Sequence, residues 1–500
     1  MAEHQLLRVD SDGVEMQRMD KERSPGGISS TSLDATTGEE ALLKPLDYSK
    51  SEKFHQYLAA IAATLGAASM GTVLAYTSPV IPELKDPGSG IEISKTQESW
   101  IGSLMNVGAL IGGLTAGFLV GGLGKKGTIV ANCVPFLIGW VLLISAQNVA
   151  MLYIGRIITG LCCGYVSMSA PVYIGEIAQP EIRGTLGAGF QLMVTLGILF
   201  VNLCGLFMPW RWIGVACAFI VLANMIAMLP MPESPAHLVN KGRERRAEKA
   251  LDWLRGPFHD VQQELKEVQM NVMATRAEKA SFSDLFTDNS ARQPLLLSLG
   301  LMLFQQLSGI NAVIFYTESI FEEAQAGLSP SASTMIVMIT QVVVTCFAAG
   351  VVDRLGRRIL LLVSDALMAI ALLGLGIFFY IKDSIQDDDL TSSYSWLPVV
   401  SLVTFIVAFS LGYGPIPWLM MGELMPSKTR APASSLATGF NWTMSFIVTL
   451  TFNSLQDGLG AYGCFWLYSA ICVGGTVFVF FLIPETKGKS LDEIQKLFRR

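Results

Sequence analysis

Twelve apolar runs, each long enough to cross a lipid bilayer, are the feature of this sequence that most limits its fold. The hydrocarbon core of a bilayer is about 30 Å thick, so a helix needs about 20 mostly apolar residues to cross it. The hydrocarbon core offers no water to backbone N–H and C=O groups, and a helix pairs these groups with one another. We therefore expect an all-α membrane protein with twelve transmembrane helices. The runs are 56–82, 101–121, 128–146, 149–174, 185–207, 210–230, 294–316, 333–352, 359–381, 397–421, 434–453 and 462–483.

The composition favours a chain embedded in lipid over a soluble one. Of the 500 residues, 51% are hydrophobic and 15% are charged, whereas soluble domains carry about 25% charged residues. The charged residues lie mostly between the apolar runs, so the net charge of -6 does not indicate a nucleic-acid surface. We expect the lipid bilayer as a partner and no nucleic acid.

The basic residues predict the orientation of the chain. If both chain ends are cytoplasmic, all but five of the 35 Lys and Arg residues fall on the cytoplasmic side, as the positive-inside rule requires. We expect a multi-pass protein of the plasma membrane. The leucine pairs Leu6-Leu7 and Leu42-Leu43 leave a sorting signal for internal membranes as an alternative.

Polar segments divide the chain into domains. The first polar segment mixes both charge signs with Ser, Thr and Gly, and cannot bury a core. The predicted domains are a disordered cytoplasmic tail at 1–54, a six-helix bundle at 55–230, a cytoplasmic helical loop at 231–293, a second six-helix bundle at 294–484 and a cytoplasmic tail at 485–500.

Short amphipathic helices are predicted within the central loop. Ala247, Leu251 and Leu254 recur at helical spacing, and Asp260 is placed to cap a second helix. Ser490 with Glu493 predicts a further capped helix near the C-terminal end.

The two halves of the chain carry the same marks at matching places. Two repeats of six helices with equal orientation form two bundles with a site between them that can open to either side. This arrangement is typical of a rocking transporter. Glu176 lies seven residues before Arg183, and Glu423 lies seven residues before Arg430. The sixth and twelfth runs are followed by the similar sequences PESPA at 232–236 and PETKG at 484–488.

With these marks, the chain resembles the sugar porters of the major facilitator superfamily from about residue 56 onward. The resemblance implies the major facilitator fold and sugar transport by alternating access, not an enzyme activity. Residues 75–79 and 418–423 are most similar to the insect facilitated trehalose transporters and related glucose facilitators, which implies trehalose or a hexose such as glucose. Further matching motifs are Gly155-Arg156, QQLSGIN at 305–311 and GPIPW at 414–418.

Three positions depart from the family pattern. Gly121 replaces an Asp in the loop after the second run, and Ala236 replaces an Arg after the sixth. Ser410 stands where many hexose facilitators have an acidic residue. The first two departures remove charged residues from the cytoplasmic side of the first bundle. The third affects which sugar the resemblance implies.

The candidate sugar site consists of carboxamides and indoles, since an uncharged, hydroxyl-rich ligand needs neutral donors and acceptors beside apolar plates. On a straight helix Gln306 and Asn311 would point about 140° apart, so we expect unwinding at Ser308-Gly309. The alternative is that the amides only join neighbouring helices. The sugar-binding residues that the resemblance implies are Gln191, Gln305, Gln306, Asn311, Gln341, Trp418, Asn441 and Trp442.

Two further groups are candidates for gating. Pro415 and Pro417 must kink the tenth run, which gives a mobile gate or a static bend. Charged residues at the cytoplasmic ends of the runs could latch the bundles together or remain solvated. These charged residues are Glu176, Arg183, Glu233, Arg354, Arg357, Glu423, Arg430 and Glu485.

Metal, nucleotide and catalytic sites are not expected. The eight Cys lie scattered in the runs, and none of the four His lies well inside one. Around Gly124-Lys125-Lys126, Leu119 stands where a phosphate-binding loop needs its first Gly, and Lys126 where it needs Ser or Thr. We expect no cofactor, no metal and no catalytic residue.

Passive uniport is the predicted mode of transport. An ion-coupled carrier needs a carboxylate near the substrate, and the first run has none between Gln56 and Pro82. Asp365 in the ninth run is interpreted as hydrogen-bonded to a neighbouring helix. The alternatives are a proton-coupled sugar symporter of the same fold and a non-transporting sugar sensor.

Overall fold

The computed structural model describes residues 48–86, 88, 90–277, 284–287, 289–325, 328–426, 428–489, 491–496 and 498. Every regular element within these ranges is a helix. Residues 1–47 of the predicted tail, with both leucine pairs, lie outside the described residues, and so does Ser490 of the predicted C-terminal cap.

The first half of the chain forms six long apolar helices, which we number as spans. Spans 2 and 4 begin at side-chain caps, because Ser94 accepts from the backbone N–H of Gln97 and Asn148 accepts from that of Met151. Spans 1 to 6 are Phe54–Lys85, Lys95–Leu123, Lys125–Ile144, Val149–Ile177, Pro180–Gly205 and Trp210–Met228. They form the N-bundle.

The second half forms the C-bundle, in which two of the described spans are interrupted. Span 7 consists of Asn289–Leu307 and Ile310–Ala324, and span 10 of Leu397–Leu411 and Ile416–Leu424. Span 8 is Pro330–Leu355 and span 9 is Arg357–Tyr380, extended by a π-helical turn at Ile381–Ile385.

Spans 11 and 12 follow each other within the 53 residues of Arg430–Leu482. A straight helix of that length would be about 80 Å long, far more than a bilayer needs. Gly460 interrupts it with a φ of 74°, a left-handed conformation that glycine tolerates. The described residues therefore contain the twelve spans that the sequence predicts.

Small residues let the helices of the N-bundle approach closely. A Cβ added to Gly108 of span 2 would lie 2.1 Å from the carbonyl oxygen of Ile157, and one added to Gly160 of span 4 would lie 2.0 Å from that of Met105. Such contacts stabilise helix pairs in lipid, where apolar burial provides little driving force.

We call the membrane face that carries Phe54, the central loop and the end of span 12 the inner face, and the opposite one the outer face. The inner face corresponds to the predicted cytoplasmic side.

The described part of the central loop contains short helices. Its helices Pro235–Asn240, Glu244–Arg255 and Val261–Ala277, the inner-face helices, bury a small apolar cluster that includes Leu251 and Leu265. Asp260 Oδ1 accepts from the backbone N–H groups of Gln262 and Gln263, which confirms the predicted cap.

The inner-face helices are anchored to the N-bundle by Arg255. Its guanidinium binds both carboxylate oxygens of Glu264 and donates to the carbonyl oxygen of Ile177, at the end of span 4, at 2.7 Å. A buried pair with this many hydrogen bonds is well compensated for the loss of water.

Residues 48–53 differ from the tail predicted for 1–54. The ring of Tyr48 stacks on that of His259 with centroids 5.3 Å apart, and the N–H of Glu52 donates to the carbonyl oxygen of Arg255 at 2.7 Å. This aromatic partner is distant in sequence, so composition alone does not reveal it. Burial raises the pKa of Tyr48 to about 12.

Candidate functional site

The break in span 7 brings the predicted carboxamides together. Gly309 has a φ of 86°, and the helix stops at Leu307 and resumes at Ile310. The unwinding predicted at Ser308-Gly309 is therefore confirmed. Across it, Asn311 Nδ2 donates to Gln306 Oε1 at 2.5 Å.

Asn441 of span 11 joins the two glutamines of span 7. Gln306 Nε2 donates to Asn441 Oδ1 at 2.9 Å, and Asn441 Nδ2 donates to Gln305 Oε1 at 2.7 Å. All three side chains are buried. The amides therefore satisfy one another's hydrogen-bonding groups.

The kink in span 10 is connected to the same amides. Span 10 is interrupted between Leu411 and Ile416, and Pro415 precedes its second helix, so the kink predicted from Pro415 and Pro417 is confirmed. Gln305 Nε2 donates to the carbonyl oxygens of Tyr413 and Gly414, at 2.7 and 3.1 Å. These oxygens lie within the break, where regular helical hydrogen bonding is interrupted.

The network also reaches the N-bundle, through residues that were not predicted. Asn311 Nδ2 donates to Ser445 Oγ at 2.6 Å, and Ser445 Oγ donates to Asn106 Oδ1 at 2.8 Å. Asn106 Nδ2 donates to Thr449 Oγ1 at 3.0 Å. Asn106 is the only carboxamide in the run 101–121, and that isolation was a signal for it. We call the series from Tyr413 through Gln305, Asn441, Gln306, Asn311 and Ser445 to Asn106 the amide chain.

The remaining predicted sugar-binding residues lie outside the amide chain. Gln191 of span 5 is exposed, as is Trp418 of span 10. Gln341 Oε1 and Trp442 Nε1 are buried and have no hydrogen-bond partner among the described residues. Unpaired buried polar atoms are costly, and both could bind a hydroxyl group.

The bundles meet on the outer side of the amide chain. Asn453 Nδ2 of span 11 donates to Ser99 Oγ of span 2 at 3.0 Å, and Lys95 pairs with Asp457 further out. We call the contacts of Lys95, Ser99 and Asn106 with Asp457, Asn453, Thr449 and Ser445 the outer ladder. Its rungs on span 11 are four residues apart, as expected for one face of a helix. In addition, Thr77 Oγ1 of span 1 donates to the carbonyl oxygen of Phe315 of span 7 at 3.1 Å.

On the inner face the predicted charged residues form one cluster in each bundle. In the N-bundle, Lys125 pairs with Glu176 at 3.0 Å, and Glu233 accepts from the backbone N–H groups of Lys125, Lys126 and Gly127. Ser234 also donates to Glu176.

The cluster of the C-bundle repeats this arrangement. Arg357 pairs with Glu423 at 3.2 Å, and Thr486 donates to Glu423 at 2.6 Å. Glu485 accepts from the backbone N–H groups of Arg357 and Arg358. Burial alone would raise the pKa of Glu485, but these hydrogen bonds outweigh it and hold the pKa below its ordinary value.

Three of the predicted gating arginines have different contacts from those expected. Arg183 and Arg430 donate to the carbonyl oxygens of Ala178 and Met425, at 3.4 and 3.3 Å, rather than to Glu176 and Glu423. Arg354 is exposed, and its carbonyl oxygen accepts from Lys487. Among the described residues no ion pair joins the two bundles on the inner face. Among the described residues, the hydrogen bonds and ion pairs that join the two bundles lie at the level of the amide chain or on its outer side.

Comparisons with known proteins agree with this architecture. A family model for sugar (and other) transporters matches residues 46–498. The chain is 44% identical over 443 residues to the facilitated trehalose transporter Tret1 of Anopheles gambiae, covering 88% of this chain and 56% of that protein. It is 44% identical over 446 residues to Tret1 of Culex quinquefasciatus, covering 89% and 86%. The chain thus spans about half the length of the Anopheles relative.

Solved structures show the same fold. The proton:xylose symporter XylE bound to 6-bromo-6-deoxy-D-glucose, of the major facilitator superfamily, superimposes with a TM-score of 0.71 at 25% identity, over 89% of this chain and 99% of that one. XylE from E. coli in a partially occluded inward-open conformation gives 0.74 at 23% identity, over 88% and 100%. The twelve spans therefore adopt the major facilitator fold.

Proposed function

The chain belongs to the sugar transporter family, and from this premise we propose that it carries trehalose, or a hexose such as glucose, across a membrane by facilitative uniport. The observation that carries the proposal is the amide chain. It places four neutral carboxamides of two spans beside two helix breaks and connects them to the opposite bundle. A sugar that replaces these amide–amide hydrogen bonds would act on both bundles at once.

Trehalose is the first candidate because it is named in the relatives that are 44% identical to this chain. The test is uptake of labelled trehalose and labelled glucose into proteoliposomes that contain the purified protein. We expect saturable uptake of trehalose that excess unlabelled trehalose abolishes. Uptake of glucose alone would assign a hexose, and uptake of neither would refute the proposal.

A proton-coupled symporter is the second candidate, because XylE is described as a proton:xylose symporter. Span 1 contains a single acidic residue, Glu83, which lies at the outer end of the span. The Glu83 carboxylate accepts a hydrogen bond from the backbone N–H of Trp210 at 2.7 Å. This position is far along the span from the level of the amide chain and favours uniport over coupling.

We also propose that the inner face lies in the cytosol and that the protein works in the plasma membrane. The orientation is supported by the concentration of Lys and Arg residues on that face. A protease added outside intact cells should leave the inner-face helices uncut, and should cut them after the membrane is permeabilised. Cleavage in intact cells would reverse the orientation.

A further inference from the structure

A cavity of about 430 Å³ lies on the inner face, where the inner-face helices meet the N-bundle. Leu123 at the end of span 2 and Pro230 and Pro232 after span 6 form its membrane side, and His237 and Trp253 belong to the inner-face helices. The volume is within the range of small-molecule sites, about 300–1,000 Å³. The cavity shares no residue with the amide chain, so transport of sugar through the bundles does not explain it.

Three cations line one side of the cavity. Arg243, Arg246 and Lys249 follow one another at intervals of three residues, which places them on one face at the start of the helix Glu244–Arg255. All three are exposed, and none forms an ion pair with a residue that the structure describes. Like charges at this spacing repel each other, so an anion between them would relieve the repulsion.

The carboxylate in the cavity wall does not neutralise these cations. Both oxygens of Glu233 accept hydrogen bonds from backbone N–H groups, those of Lys125 and Gly127 among them, at 3.0 and 3.1 Å. The carboxylate is thereby held against the start of span 3. The lining therefore keeps a net positive charge that faces the open cavity.

An apolar wall completes the cavity. The indole of Trp253 is held in place by the ring of His55, with centroids 4.5 Å apart, and Ala250 and Pro232 extend the apolar surface. A ligand that fits both parts has a compact carbon skeleton and carries several negative oxygens.

We propose that this cavity binds a phosphate ester on a small ring, the chemistry shared by an inositol phosphate headgroup of a lipid and a free sugar phosphate. Guanidinium and ammonium groups bind phosphate oxygens through charge-assisted hydrogen bonds. The ring of the ligand would lie against Trp253, and the phosphates would lie between Arg243, Arg246 and Lys249.

The test is calorimetric titration of the detergent-purified protein with inositol 1,4,5-trisphosphate at low salt. The cavity variant carries Arg243→Gln, Arg246→Gln and Lys249→Gln. The matched control carries Lys241→Gln, Arg245→Gln and Lys266→Gln, three exposed cations outside the cavity lining, with the same change in charge. We expect the cavity variant to bind at least about tenfold more weakly than wild type, and the control to bind like wild type.

Two outcomes would overturn the proposal. Equal weakening in both triple variants would mean that the trisphosphate responds to overall charge and not to a site. If the wild-type protein does not bind the trisphosphate, the cavity is not a binding site for it. If the cavity variant does not fold, Arg246→Lys replaces it, since it keeps the charge and loses the two-pronged guanidinium. Weaker binding of the trisphosphate by that variant supports the site, and unchanged binding contradicts it.

A second arm identifies the source of the phosphate. The titration is repeated with protein in phosphatidylcholine vesicles, with and without phosphatidylinositol 4,5-bisphosphate in the leaflet at the inner face. If the lipid abolishes binding of the soluble trisphosphate, the headgroup occupies the cavity. If both vesicles bind the trisphosphate equally, a free ester is the ligand.

Discussion

The side-chain amide of Gln305 donates to the carbonyl oxygen of Tyr413 at 2.7 Å and so ties the break in span 7 to the break in span 10. Backbone groups freed by a helix break need new partners, and Gln305 supplies one from a different span. On its other side Gln305 accepts from Asn441. A ligand that draws Gln305 away would therefore release span 10, which is a direct physical link between binding and a moving helix.

Asn311→Ala is expected to weaken sugar affinity about tenfold. It removes one side chain that can form a hydrogen bond with the sugar, and it leaves Gln306 Oε1 without the hydrogen bond from Asn311. The measurement is the KM of sugar uptake by proteoliposomes with equal amounts of protein. Asn224→Ala is the matched control, since Asn224 donates to the carbonyl oxygen of Ala62 and accepts from Cys133, both within the N-bundle. If both variants lower the melting temperature and neither changes KM, the amides serve packing alone.

Gly309→Ala is expected to destabilise the protein by about 1–2 kcal/mol, because a φ of 86° is unfavourable for any residue with a Cβ. The added Cβ would also lie 3.0 Å from the ring of Tyr468. Thermal unfolding in detergent measures the loss. Gly458→Ala is the control, since Gly458 lies in span 11 in open space, and an equal loss there would contradict the explanation.

The sequence predicts the spans well because their length and apolar character are set by the bilayer, a constraint that each run meets locally. It predicts Gln305, Gln306 and Asn311 because these residues share a motif. It misses Asn106 and Ser445, because neither lies in a matching motif and their contact across the two bundles depends on how the helices pack.

The ion pairs show the same limit. Glu176 pairs with Lys125, the first residue of span 3, instead of with Arg183, seven residues away in sequence. Which basic residue meets a carboxylate depends on how the helices pack, and the charge pattern along the chain does not encode that packing.

Asp457→Asn is expected to shift the carrier towards the outward-open state, because the ion pair with Lys95 closes the outer ladder. Both side chains are about half exposed, so the shift should be at most about fivefold, as exposed ion pairs contribute about 0.2–1 kcal/mol. The measurement is labelling of a cysteine at Ser103, which is fully buried here, by an impermeant thiol reagent added on the outer side. Exchanging the charges, with Lys95→Asp and Asp457→Lys, should restore slow labelling; failure to do so would exclude the pair.

Glu423→Gln is expected to leave the carrier resting inward-open, if the charged clusters also latch the bundles in the outward-open state. In this structure Glu423 binds Arg357 and Thr486 of its own bundle. Labelling of Gln191→Cys, at an exposed position of span 5, by a reagent added on the inner side measures how accessible this position is from that side. Faster labelling supports the latch. Unchanged or slower labelling means that Glu423 only stabilises the C-bundle.

Transport is expected to be passive, and Asp365 provides the sharpest test of this. Asp365 is fully buried in span 9 and lies near the hydroxyl of Tyr413 without reaching hydrogen-bonding geometry. The predicted hydrogen bond to a neighbouring helix is therefore not formed. Since Ser364 also accepts from the backbone N–H of Tyr413 at 3.2 Å, this part of span 9 supports the break in span 10. Asp365 is thus closer to the amide chain than its peripheral span suggests.

Proteoliposomes given an inward proton gradient, and separately an inward sodium gradient, should fill with sugar only to the external concentration, because a uniporter has no ion to couple. Asp365→Asn should reach the same final level, even if a change near Tyr413 slows the approach to it. Accumulation above the external concentration that Asp365→Asn abolishes would instead show a coupled carrier, with the ion bound at span 9.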